Sequence, residues 1–251
     1  MMEAISHRAD ELLLAQAAQV RATHMFIHIP KTGGSSIEAT IQPNLTVLMQ
    51  VTDCCNWWRD WATERDKRAG LKTHCCQPGS PWHVAPDILP TYLNRTVYAP
   101  ASTPRWCIVR RPADRWESCQ AFTHVQGGPR GNWFGREPTP PSSLPRIYTR
   151  GRRHLPWTEE LLHKQPQHFF IWDGNGRVQC QCVVAFERLP MFTHQHLRQT
   201  SQKQNMSLLP FDANISRLYA TDERLWTLAS QAPELCYRPP NRSVFHRTAP
   251  H

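Results

Sequence analysis

Lys31-Thr32-Gly33-Gly34-Ser35-Ser36 gathers one cation, two glycines and three hydroxyls into consecutive positions. Residues of these types hold anions. Glycine lets the backbone approach closely, amide N–H groups and hydroxyls donate hydrogen bonds, and lysine supplies a point charge. In the nucleoside-triphosphate loop GxxxxGK[ST] the lysine follows the glycines, whereas here it precedes them and Pro30 stands directly before it. That order argues against an ATPase or GTPase.

A second stretch, Arg110-Arg111-Pro112-Ala113-Asp114-Arg115-Trp116-Glu117-Ser118, also suits an anion. With Pro112 in the first turn of a helix, Arg110 ends the preceding strand and Ser118 sits two turns on. A guanidinium fork and a hydroxyl at that spacing reach one phosphate together. Proton abstraction near neutral pH calls for histidine, whose ordinary pKa is about 6.5. Thirteen are present, so residue type alone selects none of them. No GxSxG elbow occurs, which leaves a Ser-His-Asp nucleophile unsupported.

Both stretches need a strand before them and a helix after. Met25-Phe26-Ile27-His28-Ile29 predicts a buried strand that stops at Pro30, and Ile37-Glu38-Ala39-Thr40-Ile41 resumes with helical spacing. Trp106-Cys107-Ile108-Val109 predicts the second strand, and Trp116, Cys119 and Phe122 give the helix after Pro112 an apolar stripe. Strong helix formers predict an N-terminal helix over about residues 6–22. Phe169-Phe170-Ile171-Trp172, the turn Asp173-Gly174-Asn175-Gly176 and the run from Val178 to Phe186 read as strand, turn and strand. A helix is predicted from Ile215 to Ser230. About residues 127–156 are rich in Gly, Pro, Ser and Arg without periodicity, as in a long surface loop. Strands alternating with helices predict an α/β protein with a central, mostly parallel sheet flanked by helices, in one domain over residues 1–251.

The run from Phe26 to Ser36 closely resembles the 5′-phosphosulfate loop of Golgi-type carbohydrate sulfotransferases, above all the heparan sulfate 6-O-sulfotransferase branch. Cys107 to Ser118 looks like the 3′-phosphate motif of the same family, a strand running into R-x-P-x-x-R-x-x-S. Weaker similarity continues through Phe169 to Leu189 and through Leu218-Tyr219-Ala220-Thr221-Asp222. The resemblance implies a P-loop-like sulfotransferase fold. It also implies transfer of the sulfuryl group of 3′-phosphoadenosine 5′-phosphosulfate (PAPS) to an acceptor hydroxyl, with a carbohydrate as the first choice. Lys31, Thr32, Gly33, Gly34, Ser35 and Ser36 would bind the phosphosulfate, Lys31 would steady the bridging oxygen as sulfate leaves, and Arg110 and Ser118 would bind the 3′-phosphate. His83 stands at a place similar to that branch's catalytic base, with His74 as the alternative. Arg111 and Ala113 depart from the pattern, which usually has Asp or Asn and then an aromatic. The product is the desulfated nucleotide PAP, and no metal is required.

With 29 Lys and Arg against 20 Asp and Glu, the formal charge of +9 favours anionic partners. No stretch approaches the roughly 18 apolar residues of a membrane span, and no signal peptide opens the chain. Five of the eight Asn residues (Asn44, Asn94, Asn205, Asn214 and Asn241) begin an Asn-x-Ser/Thr glycosylation acceptor. The nine cysteines include Cys54-Cys55 and Cys75-Cys76, in loop-like surroundings that suit disulfides. Their CC-x19-CC spacing is unlike a zinc site. Together these features predict a secretory lumen, the Golgi by resemblance, although no targeting segment is seen. A cytoplasmic protein with reduced cysteines is the other reading. Two other functions fit parts of the sequence. One is an ATP-dependent phosphotransferase using Lys31 to Gly34, and the other a non-catalytic glycan- or nucleic-acid-binding protein using Arg146, Arg150, Arg152 and Arg153. The sulfotransferase reading takes PAPS and a hydroxyl acceptor as partners, and no nucleic acid.

Overall fold

Among the described residues three short, largely apolar runs build the sheet: β1 (Met25–Ile27), β2 (Arg105–Val109) and β3 (Cys182–Ala185), parallel and in the order β1-β2-β3. The register pairs Phe26 with Trp106 and Trp106 with Cys182, then Ile27 with Cys107 and Cys107 with Val183. All of these are buried, as strands covered on both faces require. This computed structural model describes residues 2–38, 40, 83–87, 103–126, 144, 159–193 and 210–247.

Alternation along the strands divides the core in two. On one face Phe26, Trp106, Ile108, Cys182 and Val184 pack with Ala17 and Val20 of α1 (Met2–Thr23) and Ile37 of α2 (Gly34–Glu38). Leu189 of the 3-10 helix Phe186–Met191 completes that layer. On the other face Met25, Ile27, Cys107, Val109 and Val183 meet Trp116 of α3 (Pro112–Gln126) and Leu162 of α4 (Glu159–Lys164). The same layer holds α5 (His168–Ile171), α6 (Ala213–Leu218), α7 (Ala220–Gln231) and α8 (Arg242–Arg247). The architecture is mixed α/β, a small parallel sheet flanked by helices. No helix of the described residues is long and apolar enough to cross a membrane.

Several elements differ from the sequence prediction. The apolar run at 169–172, predicted as a strand, forms helix α5 and the residue after it. A wholly buried apolar run fits either element, and here the Asp222 carboxylate decides. It accepts the amides of Gln167 at 2.7 Å and His168 at 2.9 Å, and also His168 Nδ1 at 2.7 Å. Donors at a helix start are thereby satisfied. The strand after the turn is shorter than predicted, because only one antiparallel bridge, Trp172 to Val178, precedes β3.

The helix predicted over 215–230 is two helices. They meet at Tyr219, whose φ of −101° and ψ of 13° leave helical geometry and whose buried hydroxyl donates to the Lys164 carbonyl. α6 starts at Ala213 because the Asp212 carboxylate accepts the amides of Asn214 at 2.8 Å and Ile215 at 2.9 Å. α2 begins at Gly34 rather than Ile37, because the Gly33 carbonyl accepts the Ser36 and Ile37 amides at 3.0 and 3.3 Å.

Disulfides join Cys107 to Cys180 and Cys182 to Cys236, separations of 73 and 54 residues. Chain-entropy arithmetic gives each closure about 4 kcal/mol. Cys54-Cys55 and Cys75-Cys76 lie outside the described residues, as do His74, Asn44, Asn94, Asn205, Arg146, Arg150, Arg152, Arg153 and, apart from Leu144, residues 127–156. Asn214 and Asn241 are exposed.

The stability of α5 should depend on the Asp222 carboxylate. Asp222→Ala leaves buried amides and an imidazole without their acceptor, so unfolding free energy should fall by about 3–5 kcal/mol. Urea denaturation measures this, and a loss below about 1 kcal/mol would mean that α5 does not depend on the carboxylate.

Candidate functional site

β1 delivers the chain to Pro30 at the carboxyl end of the sheet, and the turn that follows is sharply bent. Lys31 has φ of 67° and Gly33 has φ of 85°, both in the left-handed region. For a lysine that conformation costs of order 1–3 kcal/mol and persists only where neighbours enforce it. Two neighbours do so. The Thr32 hydroxyl donates to the Ile29 carbonyl at 2.8 Å, and Arg115 Nε donates to the Pro30 carbonyl at 2.9 Å.

The two glycines serve packing as well as approach. A Cβ at Gly34 would lie 2.6 Å from the His28 ring, and one at Gly33 would lie 2.6 Å from Leu189 Cδ2. Among the described residues the amide N–H groups of Thr32, Gly33 and Gly34 make no backbone hydrogen bond stronger than the weak closure of the turn itself. Consecutive, weakly engaged backbone donors at a turn are what an anion-holding loop offers. The Thr32 side chain, by contrast, points inward and is spent on Ile29. Ser36 is buried, and of Ser35 only the backbone is described.

β2 ends beside β1 and carries Arg110 to the same edge. Arg110 Nη1 lies 3.5 Å from the Lys31 carbonyl, and its guanidinium sits over the Phe186 ring at 4.6 Å. Gln167 fixes its backbone from both sides, accepting from the Arg110 amide at 2.9 Å and donating to its carbonyl at 2.8 Å. Burial lowers the Arg110 pKa, opposed first by Asp114, and a guanidinium stays charged throughout. Ser118 is buried along α3. Arg111 turns away to the surface, over the Trp226 ring at 5.7 Å and 3.8 Å from Glu223.

Arg115 is a site residue to which sequence reading gave no role, although it is the second arginine of R-x-P-x-x-R-x-x-S. Its side chain is buried, and besides Pro30 it donates from Nη2 to the carbonyls of His163 at 2.7 Å and Gln165 at 2.8 Å. Beside it, burial pushes the Tyr219 phenol well above its ordinary range, with Arg115 opposing, so the phenol is neutral.

His83 lies at this edge too. Its Nδ1 is 3.0 Å from His163 Nε2, and its ring meets His28 edge-on with centroids 5.5 Å apart. Gln165 Nε2 donates to the His83 carbonyl, while Gln165 Oε1 is buried with no partner among the described residues. Val84 and Ala85 anchor the segment in the core, and Asp87 accepts the Gly174 amide at 2.9 Å. His28 and His163 were not singled out by sequence; their signal is three-dimensional, since helix α4 and strand β1 are far apart along the chain. Among the described residues no three His, Cys, Asp or Glu side chains are grouped to hold a metal ion.

The edge thus brings together a turn with spare donors, a buried arginine and a histidine pair. No protein-family model, curated protein or solved structure matches the chain.

Gly33→Ala tests the turn. The left-handed φ alone costs an alanine about 1–2 kcal/mol, and the new Cβ meets Leu189 besides. A thermal melt should fall by several degrees, and an unchanged Tm would contradict this geometry.

Proposed function

We propose that this chain is a sulfotransferase with a P-loop-like fold that moves the sulfuryl group of PAPS to an acceptor hydroxyl, a glycan hydroxyl by the resemblance of its motifs. One observation carries the reading. The Lys31 turn and Arg110, far apart in sequence, approach to 3.5 Å at the carboxyl ends of adjacent parallel strands, where open α/β sheets bind ligands. Support also comes from the amides of the turn, which make no full-strength backbone hydrogen bond among the described residues, and from His83 at the same edge.

In this proposal the turn amides and Lys31 hold the 5′-phosphosulfate, and Arg110 with Ser118 holds the 3′-phosphate. His83 takes the proton of the acceptor hydroxyl through Nε2, since Nδ1 is engaged with His163. The acceptor oxygen forms a bond to sulfur as the bond from sulfur to the bridging oxygen breaks. The electron pair leaves on the 5′-phosphate of PAP, where the Lys31 ammonium neutralises it. The two disulfides among the described residues and the exposed acceptors Asn214 and Asn241 favour a secretory lumen, and the motif resemblance favours the Golgi.

The deciding experiment is a thermal melt with PAP and with ATP at matched concentrations. PAP at a hundredfold excess over its Kd should stabilise the protein by about 2.7 kcal/mol, and ATP by much less. Arg110→Ala should weaken PAP binding by about 1.5–3 kcal/mol while leaving adenosine 5′-phosphosulfate, which lacks the 3′-phosphate, nearly unaffected. Equal shifts from ATP and PAP, or none from PAP, would defeat the nucleotide assignment.

His83→Ala separates binding from chemistry. It should keep PAP affinity while turnover falls at least about 10²-fold, the lower range for a general base. Near-normal turnover would remove His83 from the base role.

A further inference from the structure

We infer that His163 is a positioning residue for His83, holding its ring in the tautomer that can accept a proton at Nε2. The inference rests on the reading of His83 as the base. Two imidazole nitrogens 3.0 Å apart hold one hydrogen between them. If His163 Nε2 carries it, neutral His83 has its own hydrogen on Nε2 and cannot act as a base there. If His83 Nδ1 carries it, His163 Nε2 is the acceptor and His83 Nε2 keeps its lone pair. A base therefore requires the second arrangement, in which His163 does for His83 what a tautomer-fixing partner does for any catalytic or metal-bound imidazole.

The surroundings make His163 fit for this role. Its side chain is buried at 3% exposure, and its ring meets that of His83 edge-on with centroids 4.2 Å apart. Its backbone is pinned from α3, because its carbonyl accepts from Arg115 Nη2 at 2.7 Å and from the Cys119 thiol at 3.2 Å. Two residues on, Gln165 donates to the His83 carbonyl, so one short segment grips both the ring and the backbone of His83. The helix that carries Arg110's motif thus also sets the histidine pair.

The partner is another imidazole rather than a carboxylate. It orients the ring without adding a negative charge beside the phosphosulfate that the turn is built to hold.

The test has two independent arms. In the first, protein labelled with nitrogen-15 at histidine is examined at about pH 8, above the ordinary imidazole pKa of about 6.5, by long-range proton–nitrogen correlation. His83 is assigned from the spectrum of His83→Gln. The expected result is His83 protonated on Nδ1 and bare on Nε2, with His163 bare on Nε2, and His163→Leu should shift His83 toward the other tautomer. Hydrogen on His83 Nε2 in the wild type would overturn the inference.

The second arm measures sulfuryl transfer from radiolabelled PAPS to a panel of desulfated glycosaminoglycans, tyrosyl peptides and small alcohols. His163→Leu should lower kcat roughly 10- to 100-fold at unchanged KM for PAPS, and His163→Gln, whose amide oxygen can accept from His83, should restore most of it. An unchanged kcat in His163→Leu, or no rescue by His163→Gln, overturns the positioning role. Absence of transfer by the wild type would instead refute the sulfotransferase reading, and the tautomer measurement would still decide the histidine pair. Should His163→Leu fail to fold, the wild-type spectrum and the glutamine variant carry the test.

Discussion

A buried guanidinium holds this site together. Arg115 lies in the interior with its charge facing three backbone carbonyls, those of Pro30, His163 and Gln165. Burying a charge is costly unless hydrogen bonds replace water, and charge-assisted bonds to carbonyls are among the stronger replacements. Each carbonyl belongs to a different part of the site: the entry to the Lys31 turn, the histidine that pairs with His83, and the glutamine that grips the His83 backbone. Were Arg115 lost, those three carbonyls would lose their common donor and the left-handed Lys31 would lose one of the contacts that enforce it. The nearby neutral Tyr219 phenol adds no opposing charge, so the arginine serves as a structural cation rather than half of an ion pair.

A second set of contacts ties this edge to the helical layer. Asp222 on α7 holds the first turn of α5, and Gln167, at the start of that turn, holds Arg110 by exchanging two hydrogen bonds with its backbone. Arg110 is therefore placed by a chain of buried polar contacts running from α7 through α5 to the end of β2. Networks of this kind specify one arrangement because any half-satisfied alternative leaves buried donors exposed to no partner. The surface pair of Arg111 and Glu223 contributes little by comparison, since both side chains are about half exposed.

Where local chemistry decides structure, the sequence was legible. The helix start at Pro112, the strands around Phe26 and Cys107 and the glycine turn all follow from residue type and short spacing, although β1 ends at Ile27, two residues before the predicted end at Ile29. Errors arose where distant residues decide. Phe169 to Ile171 became helix because a carboxylate more than fifty residues later satisfies the amides at its start, and the helix after Ile215 broke at Tyr219 because that phenol reaches Lys164. The cysteine pairing was illegible for the same reason, as Cys107 and Cys180 meet only once β2 and β3 lie side by side. Of the site, the turn and Arg110 could be read from motifs. Arg115, His28 and His163 could not, because their roles are defined by the carbonyls and rings that the fold brings to them.

The Cys107–Cys180 and Cys182–Cys236 disulfides lie on opposite sides of the sheet, although Cys180 and Cys182 are separated by one residue. Cys182 faces the α1 layer with Trp106, whereas Cys180 is turned into the other layer by the bend at Gln181, whose amide bonds to the Arg105 carbonyl. These four thiols, taken by themselves, can pair in three ways, and in an unordered chain Cys180 and Cys182 are almost equally near to either partner. Nothing but the sheet tells them apart. Oxidation before the strands register would trap scrambled isomers, so correct maturation requires β2 and β3 to align first or a thiol-exchange catalyst to let the pairs re-sort until they do.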